Sequence, residues 1–97
     1  MENLTTMVVL AQKGDSSAYE HLVKRFQDMA VGYGYALLGD WQAAQDAAQQ
    51  GCITAFYTLP KLQNPAAFAG WLRRIVHTQA HRQHRVRKAV LVPLEYA

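Results

Sequence analysis

The sequence predicts an all-α fold, a compact bundle of about four helices whose last member is long and basic. Three observations lead there. Apolar residues recur at steps of three and four, strand alternation is absent, and glycines and prolines punctuate the chain into four helical blocks. The 97 residues suit one domain, and with 51% of them hydrophobic and 18% charged the chain reads as globular, not disordered.

The first block, about Leu4 to Lys13, ends at Gly14, a suitable C′ residue. In the second, Asp15 or Ser17 can cap the N-terminus, and Ser17 and Glu20 have capping-box spacing. Its apolar residues Tyr19, Leu22, Val23, Phe26, Met29, Ala30, Tyr33 and Leu37 form one stripe. Gly32 and Gly34 each weaken this helix by about 1 kcal/mol relative to Ala, which a close approach of another helix would explain. Gly39-Asp40 ends it and caps the third block, Trp41 to about Tyr57. That block is alanine-rich and is expected to turn Ala44, Ala48, Cys52, Ala55, Phe56 and Leu59 inward, with Gly51 left as an oddity in mid-helix.

Asn64-Pro65 is a good Ncap–N1 pair for the fourth block, where Phe68, Trp71, Leu72, Ile75 and Val76 supply the buried stripe. Beyond Val76 the stripe fades and the helix turns basic and polar. It is expected to project past the core, about 12 residues spanning roughly 18 Å. An extended tail follows from Val90, which divides the chain into a helical domain over 1–89 and the start of a linker over 90–97.

The net charge of +3 is unevenly spread. Residues 1–64 carry Lys13, Lys24, Arg25 and Lys61 against Glu2, Asp15, Glu20, Asp28, Asp40 and Asp46, a balance of −2. Residues 65–97 carry Arg73, Arg74, Arg82, Arg85, Arg87 and Lys88 against Glu95, a balance of +5. A basic tail segregated in this way suits a polyanionic partner, nucleic acid ahead of anionic membrane, or else a solvated face that binds nothing.

Other function classes find little support. Cys52 is the single cysteine and cannot close an internal disulfide, and no apolar run approaches the roughly 20 residues that span a bilayer, so a cytoplasmic protein is expected. Ser16 and Ser17 sit at a helix cap, Cys52 has no adjacent histidine, and Glu20 and Asp46 form no paired-carboxylate site. No catalytic residue and no cofactor is expected. His77, His81 and His84 share a helical face at metal-compatible spacing, but their neighbours are arginines, which disfavour a cation, so no metal is expected either.

The fourth block is the informative one. Trp71 stands where the apolar stretch meets the basic one, and Arg73, Arg74, Arg82 and Arg85 continue from it. Guanidinium groups donate to phosphates and to guanine edges, and an aromatic beside them can stack on an unpaired base. Trp71 also fits ordinary i, i+4 packing with Ile75, and both roles can coexist.

Three strings, in order and at the right spacing, resemble the N-terminal half of extracytoplasmic-function sigma factors, the region-2 domain of the sigma-70 family. They are VVLAQKGDSSAYEHLVKRF, YALLGDWQAAQDAAQQGCITAF and FAGWLRRIVHTQAHRQHRVRK, and together they cover about residues 7–88. The resemblance implies a domain that docks on RNA polymerase and helps it recognise and open promoter DNA. The helix matching Ala43–Phe56 would meet the clamp helices of the polymerase β′ subunit through Asp46, Gln49 and Gln50. The loop over 58–67 would hold a flipped base of the non-template strand. The last helix would face the −10 element with Trp71, Arg73, Arg74, His77, Thr78, His81, Arg82 and Arg85. An anti-sigma factor is a further partner the resemblance allows.

The chain departs from the family pattern. Ala43, Gln45 and Gln50 stand where acids are usual, Thr78 where Asn is, Arg82 where Asp is, and Gly51 and Thr54 replace an aliphatic and an Arg. A −35-binding helix-turn-helix domain is missing, so the sequence is expected to be a piece of a longer protein, with Val92-Pro93 opening a linker. Two rival expectations stand beside this one: an interaction module on the same scaffold that no longer opens promoters, and a general basic nucleic-acid-binding domain.

Overall fold

A computed structural model describes residues 3–91, with side chains placed through 85. Four helices follow in order: α1 (Leu4–Gln12), α2 (Ser16–Leu38), α3 (Trp41–Thr58) and α4 (Phe68–Leu91). Two short 3-10 turns, Leu59–Lys61 and Pro65–Ala67, join α3 to α4. Among the described residues there is no strand.

Short polar side chains set where the helices begin, because each satisfies an N–H that the first turn leaves unpaired. Asn3 Oδ1 accepts from the Thr5 N–H, Asp15 Oδ1 from Ala18 and Asp40 Oδ1 from Ala43. The cap of α2 is therefore Asp15, not Ser17. Glu20 pairs instead with Lys24 at 3.3 Å, and both side chains are well exposed, so the pair contributes little. Glycine ends two helices. Gly14 takes φ 99°, and beside it the N–H of Asp15 reaches the Leu10 carbonyl and that of Gly14 the Ala11 carbonyl, a Schellman closure. Gly39, at φ 67°, ends α2 one residue before the Asp40 cap.

The core joins Val8 of α1, Leu22 and Ala30 of α2, Ala48 and Ala55 of α3, Leu59 of the first 3-10 turn, and Phe68, Leu72 and Val76 of α4. On α3, Ala43, Ala44, Ala47, Ala48, Gly51 and Ala55 are all buried, so the helix meets its neighbours almost backbone to backbone. Gly34 and Gly51 mark the tightest places. A methyl added at Gly34 would stand 3.3 Å from the Ala44 carbonyl oxygen, and one at Gly51 would stand 2.9 Å from Val76 Cγ2. Gly51 is thus explained by the α3–α4 crossing. Gly32 is not explained in this way, since it is exposed with open space around it.

Gln12 ties α1 to the α3–α4 connection by donating from Nε2 to the carbonyls of Leu59 and Leu62, at 3.1 and 2.8 Å. Asn64 and Pro65 start a 3-10 turn that runs directly into α4. Among the described side chains the buried positions of α4 are Phe68, Leu72, Val76 and Ala80, so the stripe persists one turn beyond Val76. Past Ala80 the helix continues for about 16 Å, which helps give the molecule its 55 × 22 × 19 Å extents. It runs through Leu91, beyond the Val90 at which a tail was expected, and 92–97 lie outside the described residues.

Three expected core positions are corrected. Phe56 is 47% exposed, because Ala47, Gly51 and Ala55 take the inner side of α3 and rotate Phe56 outward against the edge of Tyr19, ring centroids 5.2 Å apart. Leu37, also well exposed, lies on the rim at the end of α2. Cys52 is half-buried, not fully inside.

Candidate nucleic-acid interface

Burial of Phe68, Leu72, Val76 and Ala80 fixes the rotation of α4 about its axis, and the rotation decides what the other half presents. At about 100° per residue, Arg73, His84, His77, His81, Arg74, Arg85, Thr78, Trp71 and Arg82 follow one another across the half turned from the core. All are exposed except Trp71, which is half-buried. Arg73 and Arg82 form the two edges of that half, about 180° apart. Among the described residues no carboxylate pairs with Arg73, Arg74, Arg82 or Arg85. The described arginines of α4 thus all lie on its half turned from the core, Arg73 and Arg74 at one end and Arg82 and Arg85 about 12 Å farther along, with His77, Thr78 and His81 between them.

At its N-terminal end the face opens into a groove of 510 Å³, lined by Tyr33, Leu62, Ala67, Gly70, Trp71, Arg73, Arg74 and His77. Leu62 and Ala67 come from the connection between α3 and α4, Tyr33 from α2 and the rest from α4. Trp71 packs its ring 5.9 Å from Phe68 and still lines the groove, so packing does not remove it from the surface. At Gly70 an added methyl would meet open space, so the missing side chain keeps the groove wide and serves no packing purpose.

Polar contacts organise the mouth. The Tyr33 hydroxyl and His77 Nδ1 are 3.0 Å apart, and the Arg73 guanidinium lies 5.8 Å from the centre of the Tyr33 ring. Thr78 returns its hydroxyl to the Arg74 carbonyl at 3.2 Å, which leaves its oxygen able to accept. Gln79 reaches the Thr54 hydroxyl across to α3 at 3.5 Å, at the edge of hydrogen-bonding distance. Farther along, His77, His81 and His84 line a shallow second groove with Leu37, Leu38 and Ala80. Among the described residues no group of three His, Cys, Asp or Glu side chains converges as a metal site would require.

The other candidate surface is the outer side of α3. Asp46 accepts from Gln42 Nε2 at 3.4 Å, and Gln49 and Gln50 are exposed beside it. At about 100° per residue Asp46, Gln50, Ile53 and Tyr57 form one stripe, with Ile53 45% and Tyr57 75% exposed. Next to it, Tyr19, Val23, Gln49, Cys52, Ile53, Phe56 and Tyr57 line an apolar groove between α2 and α3. The two expected sets of residues are thus each brought together, on different flanks. Sequence reasoning placed Tyr33 in the buried stripe and passed over Ile53 and Tyr57. A surplus of apolar residues in the last two turns of α3, more than one stripe can bury, was the available signal.

The sigma-70 region 2 family matches residues 22–90, and the chain belongs to that family. The chain is 36% identical over 69 residues to an RNA polymerase sigma-H factor of Pseudomonas aeruginosa, covering 71% of this chain and 36% of that one. It is 34% identical over 80 residues to a probable RNA polymerase sigma factor, RfaY, of Xanthomonas campestris pv. campestris, covering 79% and 20%. An ECF RNA polymerase sigma factor, SigW, of Bacillus subtilis is 31% identical over 64 residues, covering 66% and 34%. The chain spans about a third or less of the length of these relatives. No solved structure gives a significant match. No helix among the described residues is long and apolar enough to cross a membrane.

Proposed function

We propose that the chain works as the region-2 domain of a sigma factor, in the cytoplasm, by binding and without chemistry of its own. The outer face of α3, with Asp46, Gln49 and Gln50, docks on the clamp helices of the polymerase β′ subunit. Docking lays α4 along the promoter −10 element. Arg73, Arg74, Arg82 and Arg85 hold phosphates of the non-template strand, while His77, Thr78 and His81 supply further hydrogen bonds. The groove beside Trp71 holds one unstacked base, whose extraction costs a few kcal/mol that stacking returns.

The observation that carries this reading is the groove itself, an aromatic and arginine-lined hollow at the head of a cationic helix face. Its test has two arms. Immobilised β′ clamp helices should capture the folded chain, and Gln49→Arg with Gln50→Arg should abolish capture. A −10-like single strand selected from a random pool should bind at least ten-fold tighter than a scrambled one when polymerase core is present. Equal affinity for both strands would point instead to a general basic nucleic-acid-binding domain.

A second reading is favoured by the composition of α3. Gln45 and Gln50 lack the negative charge usual in similar domains, and Ile53, Phe56 and Tyr57 expose apolar surface beside them. Those features suit an interaction module whose partner, such as an anti-sigma factor, offers an apolar helix. Failure of clamp capture by a folded chain would favour it.

A further inference from the structure

Tyr33 has no part in the roles described so far, yet it supplies the α2 wall of the groove beside Trp71. Its hydroxyl lies 3.0 Å from His77 Nδ1, the two rings are 6.1 Å apart, and the Arg73 guanidinium stands 5.8 Å from its ring centre. Tyr33 is half-buried and packs against the core cluster, whereas His77 is exposed on α4. The better-anchored partner therefore fixes the other. One of the two groups must donate. A phenol O–H is a stronger acid than the N–H of a neutral imidazole, and the imidazole's bare nitrogen is the stronger base, so the phenol is the better donor of the two. The favoured arrangement has the Tyr33 O–H donating to Nδ1. A neutral imidazole that accepts at Nδ1 carries its proton on Nε2.

We infer that Tyr33 is a positioning residue that holds His77 in the Nε2–H tautomer, making it a fixed, uncharged donor to an acceptor on the bound single strand, a phosphate oxygen or a base carbonyl. This inference rests on the reading of α4 as the strand-binding face. The role differs in kind from that of the arginines. A neutral donor releases no counterion, so it adds affinity without adding salt dependence.

Two measurements on the whole chain decide the matter. Nitrogen-15 spectra of the imidazole, recorded well above the ordinary histidine titration range, should show the His77 proton on Nε2 alone. In Tyr33→Phe, which keeps the ring and its packing, both tautomers should appear. Affinity for a single-stranded oligonucleotide should fall about three- to ten-fold in Tyr33→Phe, with the slope of log affinity against log salt unchanged. In a His77→Gln background, where the amide donates regardless of its neighbour, Tyr33→Phe should cost nothing further. A proton on Nδ1 in the unaltered chain, an unaffected tautomer in Tyr33→Phe, or equal losses in both backgrounds would overturn the inference. If the unaltered chain binds no single strand, the strand-binding reading falls and takes the ligand part of this inference with it. The nitrogen spectra still decide the tautomer on their own.

Discussion

Tyr19 shows how much a single side chain can carry that spacing alone does not reveal. Its place in the α2 stripe was readable from the three-and-four steps around it. Its hydroxyl, however, donates to the Cys52 carbonyl, 33 residues away on α3, and its ring meets the edge of Phe56. Neither contact has a local signature. Burial, with the neighbouring Cys52 thiol adding to it, pushes the Tyr19 phenol well up from its ordinary range, and burial pushes the Cys52 thiol up as well. Both groups are acids that keep their protons more tightly folded than unfolded. Their contribution to stability is complete below the unfolded values and is lost as pH climbs through the folded ones. Urea unfolding should therefore show stability level to about pH 8 and falling above about 9. Tyr19→Phe should cost about 1 kcal/mol at neutral pH through the lost hydrogen bond, and flatten part of the alkaline fall. An equally steep fall in that variant would assign the effect elsewhere.

Helices were the most legible part of the chain, and their glycines the least. Gly14 and Gly39 could be placed as terminators because a positive φ at a helix end is a local need. Gly32, Gly34 and Gly51 look alike in the sequence, and only the crossing of helices separates them. Gly32→Ala meets open space and should stabilise the domain by up to about 1 kcal/mol in thermal unfolding. Gly51→Ala drives a methyl into Val76, whose β-branched side chain has one comfortable rotamer in a helix. The overpacking, about 1–3 kcal/mol, should outweigh the gain in helix propensity and leave a lower melting temperature. A gain in stability from Gly51→Ala would mean that α3 and α4 are farther apart than described. The same close crossing explains the misplaced Phe56. An inner face built from Ala47, Gly51 and Ala55 has no room for a ring, so the aromatic residues at the end of α3 turn outward. If the clamp helices also cover that outer patch, Tyr57→Glu should weaken clamp capture at least ten-fold while leaving the melting temperature within about 2 °C.

Taken across the molecule, the division of charge was legible in full, because it needs only a count and a boundary. Residues 65–97 hold the positive excess, and the helix that carries most of it turns every described arginine away from the core. The groove at its head was legible only in part. Trp71, Arg73, Arg74 and His77 follow from position along α4, but Tyr33 comes from a helix 38 residues before Trp71 in sequence, and Leu62 from an irregular turn. Tertiary packing alone brings them together. Their separate contributions should differ in salt dependence. Arg82→Gln and Arg85→Gln should each lower the slope for single-stranded DNA by up to about 0.7, whereas Trp71→Ala should lower affinity, by about 1–3 kcal/mol of stacking, at an unaltered slope.

The assignment of α4 to promoter DNA requires that its arginines grip a single strand. The most direct test is the affinity of the unaltered chain for a short non-template oligonucleotide over a series of salt concentrations. If about three phosphates are engaged, log affinity falls with log salt at a slope near −2. A slope near zero, or the same slope after Arg73, Arg74, Arg82 and Arg85 are all replaced by Gln in a chain that still folds, would contradict it.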